Sequence, residues 1–336
     1  MDAVKENLRH LAVEGQITQE ELQWAHQSIS RIIDSVSLVI KGKLEAIKLV
    51  VIGIMCKGHV LIEDSPGVGK TTLAKTLAKV VGGTFKRIQF TSDLLPSDII
   101  GLSVYRQKEG DFVFSKGPIF ANIVLADEIN RANPRTQSAL LEAMNEGQVT
   151  CDGKTYKLEE PFMVLATQNP HDYYGTYPLP ESELDRFLLR IQMGYPDAEV
   201  EREVIRSGGM EEALENLSEV VTLSDIIRLI EITEKVRFDS VLLDYLMEIV
   251  KESREERSLS LGISPRGAIH MFKTAKAMAL LDGRPYALPD DIQSIVLPVL
   301  SHRIIPSGSY MGAPAERRRI AQQVIKEILE RVVVPV

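Results

Sequence analysis

The sequence predicts an α/β chain: a three-layer αβα domain around a five-stranded parallel sheet with two β-hairpin inserts, followed by an all-helical domain. Three observations predict it. Short apolar runs at 60–62, 85–90, 123–126, 162–166 and 188–193 alternate with helical stretches at 72–81 and 136–144, and strands that alternate with helices build a parallel sheet covered on both faces. Two pairs of β-type runs, 103–105 with 112–114 and 148–151 with 155–158, flank polar turns and read as hairpins. After Tyr195-Pro196-Asp197 the strand signals stop and the pattern is helical.

Taken in order, the first forty residues read as helices. Thr18-Gln19-Glu20-Glu21 has capping-box spacing ahead of Leu22, Trp24 and Ala25. Leu44, Ile47, Lys48, Val51 and Ile52 continue a helical period. Val60-Leu61-Ile62 is a short buried strand, 66–69 a glycine-punctuated turn, and 72–81 a helix. The first hairpin closes through the polar segment 107–111 and the second through Asp152-Gly153-Lys154, a strong turn signal. In the helical half, a polar break falls at 253–265, turns at 282–285 and 305–314, and an amphipathic helix over 315–332. The expected divisions are an N-terminal helical segment 1–40, an αβα core 41–195 and a helical domain 196–336.

Composition narrows the function. Hydrophobic residues make up 44% and charged residues 26% of the 336, the balance of an ordinary globular protein. No apolar run approaches the roughly 20 residues that cross a bilayer, and the charged residues 1–10 contain no signal-peptide core. Two cysteines, Cys56 and Cys151, form no disulfide framework, so a cytoplasmic location is expected; Cys56 reads as core. With 39 basic against 47 acidic residues, the net charge of −8 argues against nucleic-acid binding. Neither paired-cysteine nor His-Glu-x-x-His spacing occurs, which argues against a protein-built zinc site.

The chemistry concentrates at two places. Asp64-Ser65-Pro66-Gly67-Val68-Gly69-Lys70-Thr71 leaves a strand and opens a helix, the context of a phosphate-binding loop. Its backbone N–H groups face phosphate oxygens; Gly67 and Gly69 permit unusual torsions. The expected nucleotide-binding residues are Ser65, Pro66, Gly67, Val68, Gly69, Lys70, Thr71 and Thr72, with Lys70 as the phosphate cation and the Thr71 hydroxyl on magnesium. Asp64 stands where such loops usually begin with glycine; an acidic side chain there crowds or repels a nucleotide unless it points away. Ile123-Val124-Leu125-Ala126-Asp127-Glu128 is a buried strand ending in two carboxylates, at the strand end where open α/β sheets bind ligands. Asp127 suits the magnesium shell and Glu128 suits a base for the attacking water.

These residues, with Asn169, resemble an AAA+ ATPase. Asp127-Glu128-Ile129-Asn130-Arg131, the run 137–144, Ala166-Thr167-Gln168-Asn169-Pro170 and Leu184-Asp185-Arg186-Phe187 resemble the MoxR family in particular, and the resemblance extends through Ser264-Pro265-Arg266-Gly267 and 288–292 to 300–304. It covers roughly residues 40–305. It implies ATP and Mg2+ as cofactors, with the helical domain acting as a lid. Asn169 would be sensor 1, orienting water between Glu128 and the γ-phosphate. Arg186 would be the arginine finger reaching a neighbour's ATP, and Arg266 would be sensor 2, acting in cis at the lid. Arg131 resembles a second subunit-interface residue. The hairpins correspond to inserts that face a ring pore or one ring face; Tyr105, Phe112 and Phe114 serve either sheet packing or client contact.

The resemblance further implies a homo-oligomeric ring, a hexamer, remodelling client complexes with a von Willebrand factor A domain partner, for example in metal-cofactor insertion. The rival readings are a magnesium-chelatase-type motor subunit and a nucleotide-gated scaffold whose loop Asp64 spoils. A DNA-translocating motor is disfavoured by charge.

Overall fold

The structure, a computed structural model, describes residues 16–108, 110–169, 176–206, 210–308 and 314–335. Expectations for residues 1–15, for Pro170 and for the tip of the 305–314 turn lie outside the described residues. Helix α1 (Gln19–Val39) starts at Thr18, whose hydroxyl accepts from the Glu21 N–H while Glu21 accepts from the Thr18 N–H, the reciprocal cap that the spacing implied. Helix α2 (Leu44–Met55) follows, then β1 (Val60–Glu63), α3 (Lys70–Val80) and β2 (Phe85–Gln89). Strands β3 (Gly101–Arg106) and β4 (Asp111–Lys116) form the first hairpin. Next come β5 (Ile123–Asp127), α4 (Pro134–Glu146) and the second hairpin of β6 (Gln148–Cys151) and β7 (Lys154–Lys157), with β8 (Met163–Gln168) and β9 (Leu189–Ile191) after it.

β2, β5, β8, β1 and β9 lie in that order in one sheet, parallel throughout. Placing β1 between β8 and β9 brings the loop after β1 beside the carboxyl ends of β5 and β8. The central strands β5, β8 and β1 bury both faces, as their continuous apolar runs require. Val60, Ile62, Ile123, Leu125, Met163 and Leu165 face one core, shared with α1, α2 and α3; Leu61, Val124, Ala126, Val164 and Ala166 face a second, shared with α4.

The hairpins pack on each other. Phe114 stacks on Tyr156 with centroids 4.1 Å apart, and it meets the Phe120 edge. Tyr105 and Phe112 instead pair edge to face at 5.4 Å in an exposed position, 53% and 65% accessible. The three aromatics therefore divide: Phe114 serves packing and the other two remain on the surface.

Beyond β9 lie α5 (Ala198–Arg206), α6 (Leu223–Lys235), α7 (Ser240–Glu255), α8 (Pro265–Leu281), α9 (Pro289–Leu300) and α10 (Pro314–Arg331). This region is not all helical. β10 (Leu259–Leu261) pairs antiparallel with β11 (Ile305–Pro306), at two places that read only as a polar break and a turn. Strands of three and two residues with an irregular register are too short to show an alternating pattern. Helix α1 packs against α3 and also against α6 and α8, so it joins the sheet layer to the helical layer. Among the described residues no helix is long and apolar enough to cross a membrane.

Candidate active site

The loop between β1 and α3 turns through two glycines in the left-handed region, Gly67 at φ +83° and Gly69 at φ +93°, where a Cβ is strained. Gly69 immediately precedes α3, so the first helical N–H groups open into a cavity of about 410 Å3. Pro66, Gly67, Gly69, Lys70, Thr71 and Thr72 line it, facing Asp127, Glu128, Thr167 and Asn169 across the strand ends. Of the expected loop residues, Ser65 and Val68 do not line it: the Val68 side chain is buried in the core, and Ser65 contributes its carbonyl to Lys70. The Lys70 ammonium donates to the carbonyls of Asp64 at 2.7 Å and Ser65 at 3.2 Å. Burial lowers its pKa, with Asp64, Asp127 and Glu128 opposing that shift.

Asp64 does not point into the cavity. One carboxylate oxygen accepts from the Ser65 N–H at 3.0 Å; the other accepts from the Met193 and Gly194 N–H groups, each at 2.6 Å. The acidic residue at the glycine position thus directs its charge toward backbone amides just past β9.

The two carboxylates of β5 are held by residues that sequence reasoning passed over. Asp127 accepts from the buried Thr167 hydroxyl at 2.6 Å and from the Arg87 fork at 3.1 and 2.5 Å. The Thr167 oxygen also accepts the Glu128 N–H at 2.8 Å, fixing the backbone where Glu128 turns left-handed at φ +58°. Glu128 accepts from the Gln89 amide at 2.8 Å and lies 3.3 Å from Arg131. Arg87 and Gln89 alternate on β2, and the parallel register sets Gln89 opposite Asp127. That register is the signal that could have found them, and it is not readable from the sequence.

The donor set fits magnesium: a hydroxyl and a carboxylate, both hard oxygens, beside a phosphate cradle. The Thr71 hydroxyl and Asp127 would hold the ion, which would compete with Arg87 for the Asp127 carboxylate.

Arg186 and Arg266 lie elsewhere. Both line a second cavity, of about 120 Å3, together with Lys57, His59, Asn145, His270 and Lys273, and neither lines the phosphate cavity. Arg266, expected to act in cis at the lid, thus lines the same cavity as Arg186, at the N-terminus of α8. Asn145, with its amide oxygen toward Arg186, accepts from the guanidinium at 3.0 and 3.2 Å. Asp185 ties the two arginines into one unit. Its carboxylate accepts from the Ser264 hydroxyl, which caps α8, and from the fully buried Arg303, whose pKa burial lowers to about 10. Cys56, expected in the core, donates to the Lys273 carbonyl, and burial pushes its thiol up to about 12.

Below the phosphate loop, Glu63 at the end of β1 accepts from Arg190 at 2.6 Å and from Arg318 of α10. Burial raises the Glu63 pKa, with Arg318 opposing it. A larger groove of about 460 Å3 between α7 and residues 331–335 is lined by Asp244, Glu248 and Glu252 and offers no phosphate cradle.

Comparison with known proteins settles the family. Residues 59–189 match the ATPase family associated with various cellular activities (AAA), and residues 251–328 match the AAA lid domain. The chain is 47% identical to the protein YeaC of Bacillus subtilis over 320 residues, spanning 95% of this chain and 97% of that one. It is 42% identical to the chaperone MoxR1 of Mycobacterium tuberculosis over 287 residues, 83% of this chain and 76% of that one. The chain belongs to the MoxR family of AAA+ ATPases. A crystal structure of a proposed ATPase from Cytophaga hutchinsonii superposes with a TM-score of 0.85 at 41% identity, covering 94% of this chain and 98% of that one. The fold is accordingly the AAA+ domain with a five-stranded parallel sheet followed by a helical lid.

Proposed function

We propose that this MoxR-family protein hydrolyses ATP at the interfaces of a homo-oligomeric ring, a hexamer, and uses the lid movement to remodel a client protein complex. The chaperone name of its mycobacterial relative supports the remodelling role. One observation carries the reading: the phosphate cradle with Asp127 and Glu128 occupies one cavity while Arg186 and Arg266 occupy another. On this reading a single subunit holds two halves of a site that a neighbour completes.

The geometry supports the following roles. Lys70 leaves the carbonyls of Asp64 and Ser65 to meet the β- and γ-phosphates. Magnesium, when bound, draws charge from the phosphate oxygens. Glu128 takes the proton of the attacking water once Gln89 releases it, and Asn169 orients that water. Arg186, held by Asn145, and Arg266 meet the triphosphate of the adjoining subunit and stabilise charge as the γ-phosphoryl departs. Loss of that charge frees the lid. The partner that this family reading favours is a von Willebrand factor A domain protein, with metal-cofactor insertion one form of client maturation. The scaffold reading loses its motive, because the Asp64 carboxylate faces the backbone of residues 193–194 rather than the nucleotide.

Turnover of the wild type, Glu128→Gln, Arg186→Ala and a mixture of the two variants tests the proposal. Each variant alone should lose about 10³-fold or more, while Glu128→Gln still takes up ATP. The mixture should regain activity at interfaces pairing an intact Glu128 with an intact Arg186. Three equally low rates with no regain on mixing would refute it.

A further inference from the structure

Asp64 is the one loop residue whose identity departs from the phosphate-loop pattern, and its contacts give that departure a use. Its three acceptor contacts all go to main-chain N–H groups. Ser65 lies in the loop; Met193 and Gly194 lie in the segment that leaves β9 for α5, the first helix of the helical region. Gly194 has φ +63°, a backbone state from which the chain changes direction. The segment is further pinned by Lys43, whose ammonium donates to the Tyr195 carbonyl at 2.6 Å. Met193 also approaches the loop directly: a Cβ at Gly69 would lie 3.9 Å from its Cε. The same Asp64 supplies, through its carbonyl, the nearest acceptor of the Lys70 ammonium.

We propose that Asp64 is a positioning residue that couples the phosphate loop to the hinge of the lid. This rests on the reading that the cavity takes ATP. A triphosphate draws Lys70 off the Asp64 carbonyl, and the main chain of Asp64 resettles. Its carboxylate, bound to two successive hinge amides by charge-assisted hydrogen bonds, carries residues 193–194 along. Glycine at this position would leave the cradle intact and the hinge unconnected. The acidic residue therefore costs the loop nothing at the phosphates, since its charge is already taken up by three N–H dipoles.

The test compares wild type, Asp64→Gly and Asp64→Asn as full chains. Magnesium–ATP affinity is measured by calorimetry, steady-state turnover by phosphate release, and hydrogen exchange of residues 193–206 with and without nucleotide. Asp64→Gly should bind within about threefold of wild type while turnover falls about tenfold, and the nucleotide-dependent change in exchange at 193–206 should vanish. Asp64→Asn, which keeps an acceptor oxygen but adds a donor, should fall between. An Asp64→Gly protein whose hinge still responds to nucleotide as wild type does would overturn the coupling. So would a loss of turnover matched by an equal loss of affinity. If wild type itself takes up no nucleotide, the ATP reading fails and the coupling with it, a result distinct from either.

Discussion

Taking the protein from about pH 7.5 to about pH 5 should remove about 2 kcal/mol of stability through His59 alone. His59 sits just ahead of β1 and is buried; its Nδ1 accepts the Val164 N–H at 3.0 Å and its Nε2 donates to the Met144 carbonyl at 2.9 Å. Both ring nitrogens are committed in the neutral form. Burial lowers the pKa from its ordinary 6.5 to about 4, with the Met144 hydrogen bond opposing. The unfolded chain therefore binds a proton below 6.5, where the folded chain stays neutral until near 4. Stability is whole above 6.5, declines as pH falls, and the loss levels off below about 4 at about 3 kcal/mol. Urea unfolding of wild type and His59→Gln at both pH values measures the difference. His302, buried, and His270, partly buried, are also held neutral, so the wild type loses more in total; the variant isolates the His59 share. Identical pH slopes in the two proteins would refute the argument. The same protonation bears on the second cavity, because the Met144 carbonyl immediately precedes Asn145, the acceptor for Arg186.

Three further outcomes follow from contacts at the site and its support. Thr167→Val keeps the shape of a buried residue but removes the hydroxyl shared by Asp127 and Glu128; turnover should fall about 10- to 100-fold, as for lost supports of metal ligands, with little change in melting temperature. Arg87→Ala should let magnesium half-saturate nucleotide binding at about two- to fivefold lower concentration, a small effect because the guanidinium is 47% exposed and such pairs contribute about 1 kcal/mol or less; titration with the metal reads it. Phe187→Ala removes a fully buried ring beside Arg186 and should cost about 3–5 kcal/mol in urea unfolding.

What the sequence disclosed was what depends on neighbours in the chain. Val60-Leu61-Ile62 and Ile123-Val124-Leu125-Ala126 are apolar at every position, which only a strand buried on both faces tolerates. The loop 64–71 was legible because its glycines, lysine and threonine stand together. Arg87 and Gln89 were not: on the strand Phe85–Gln89 they resemble a solvent face, and only the pairing with β5 aims them at Asp127 and Glu128. The orientation of Asp64 required knowing that residues 193–194 return beside it, 129 and 130 positions later. The setting of Arg266 was hidden for the same reason, since a helix start can be read locally but the cavity that it lines cannot. The short β10–β11 pair was hidden by length alone.

The Glu63 group has an electrostatic consequence. One carboxylate set between Arg190 and Arg318 leaves that triad with one unit of surplus positive charge under the strand end from which the phosphate loop springs. Shielded from bulk ions by burial, that surplus is screened far less than a surface lysine would be. An incoming polyanion meets a standing attraction that belongs to the scaffold itself, so a Lys70→Ala protein should lose grip on nucleotide yet keep a residual pull that added salt weakens only slowly.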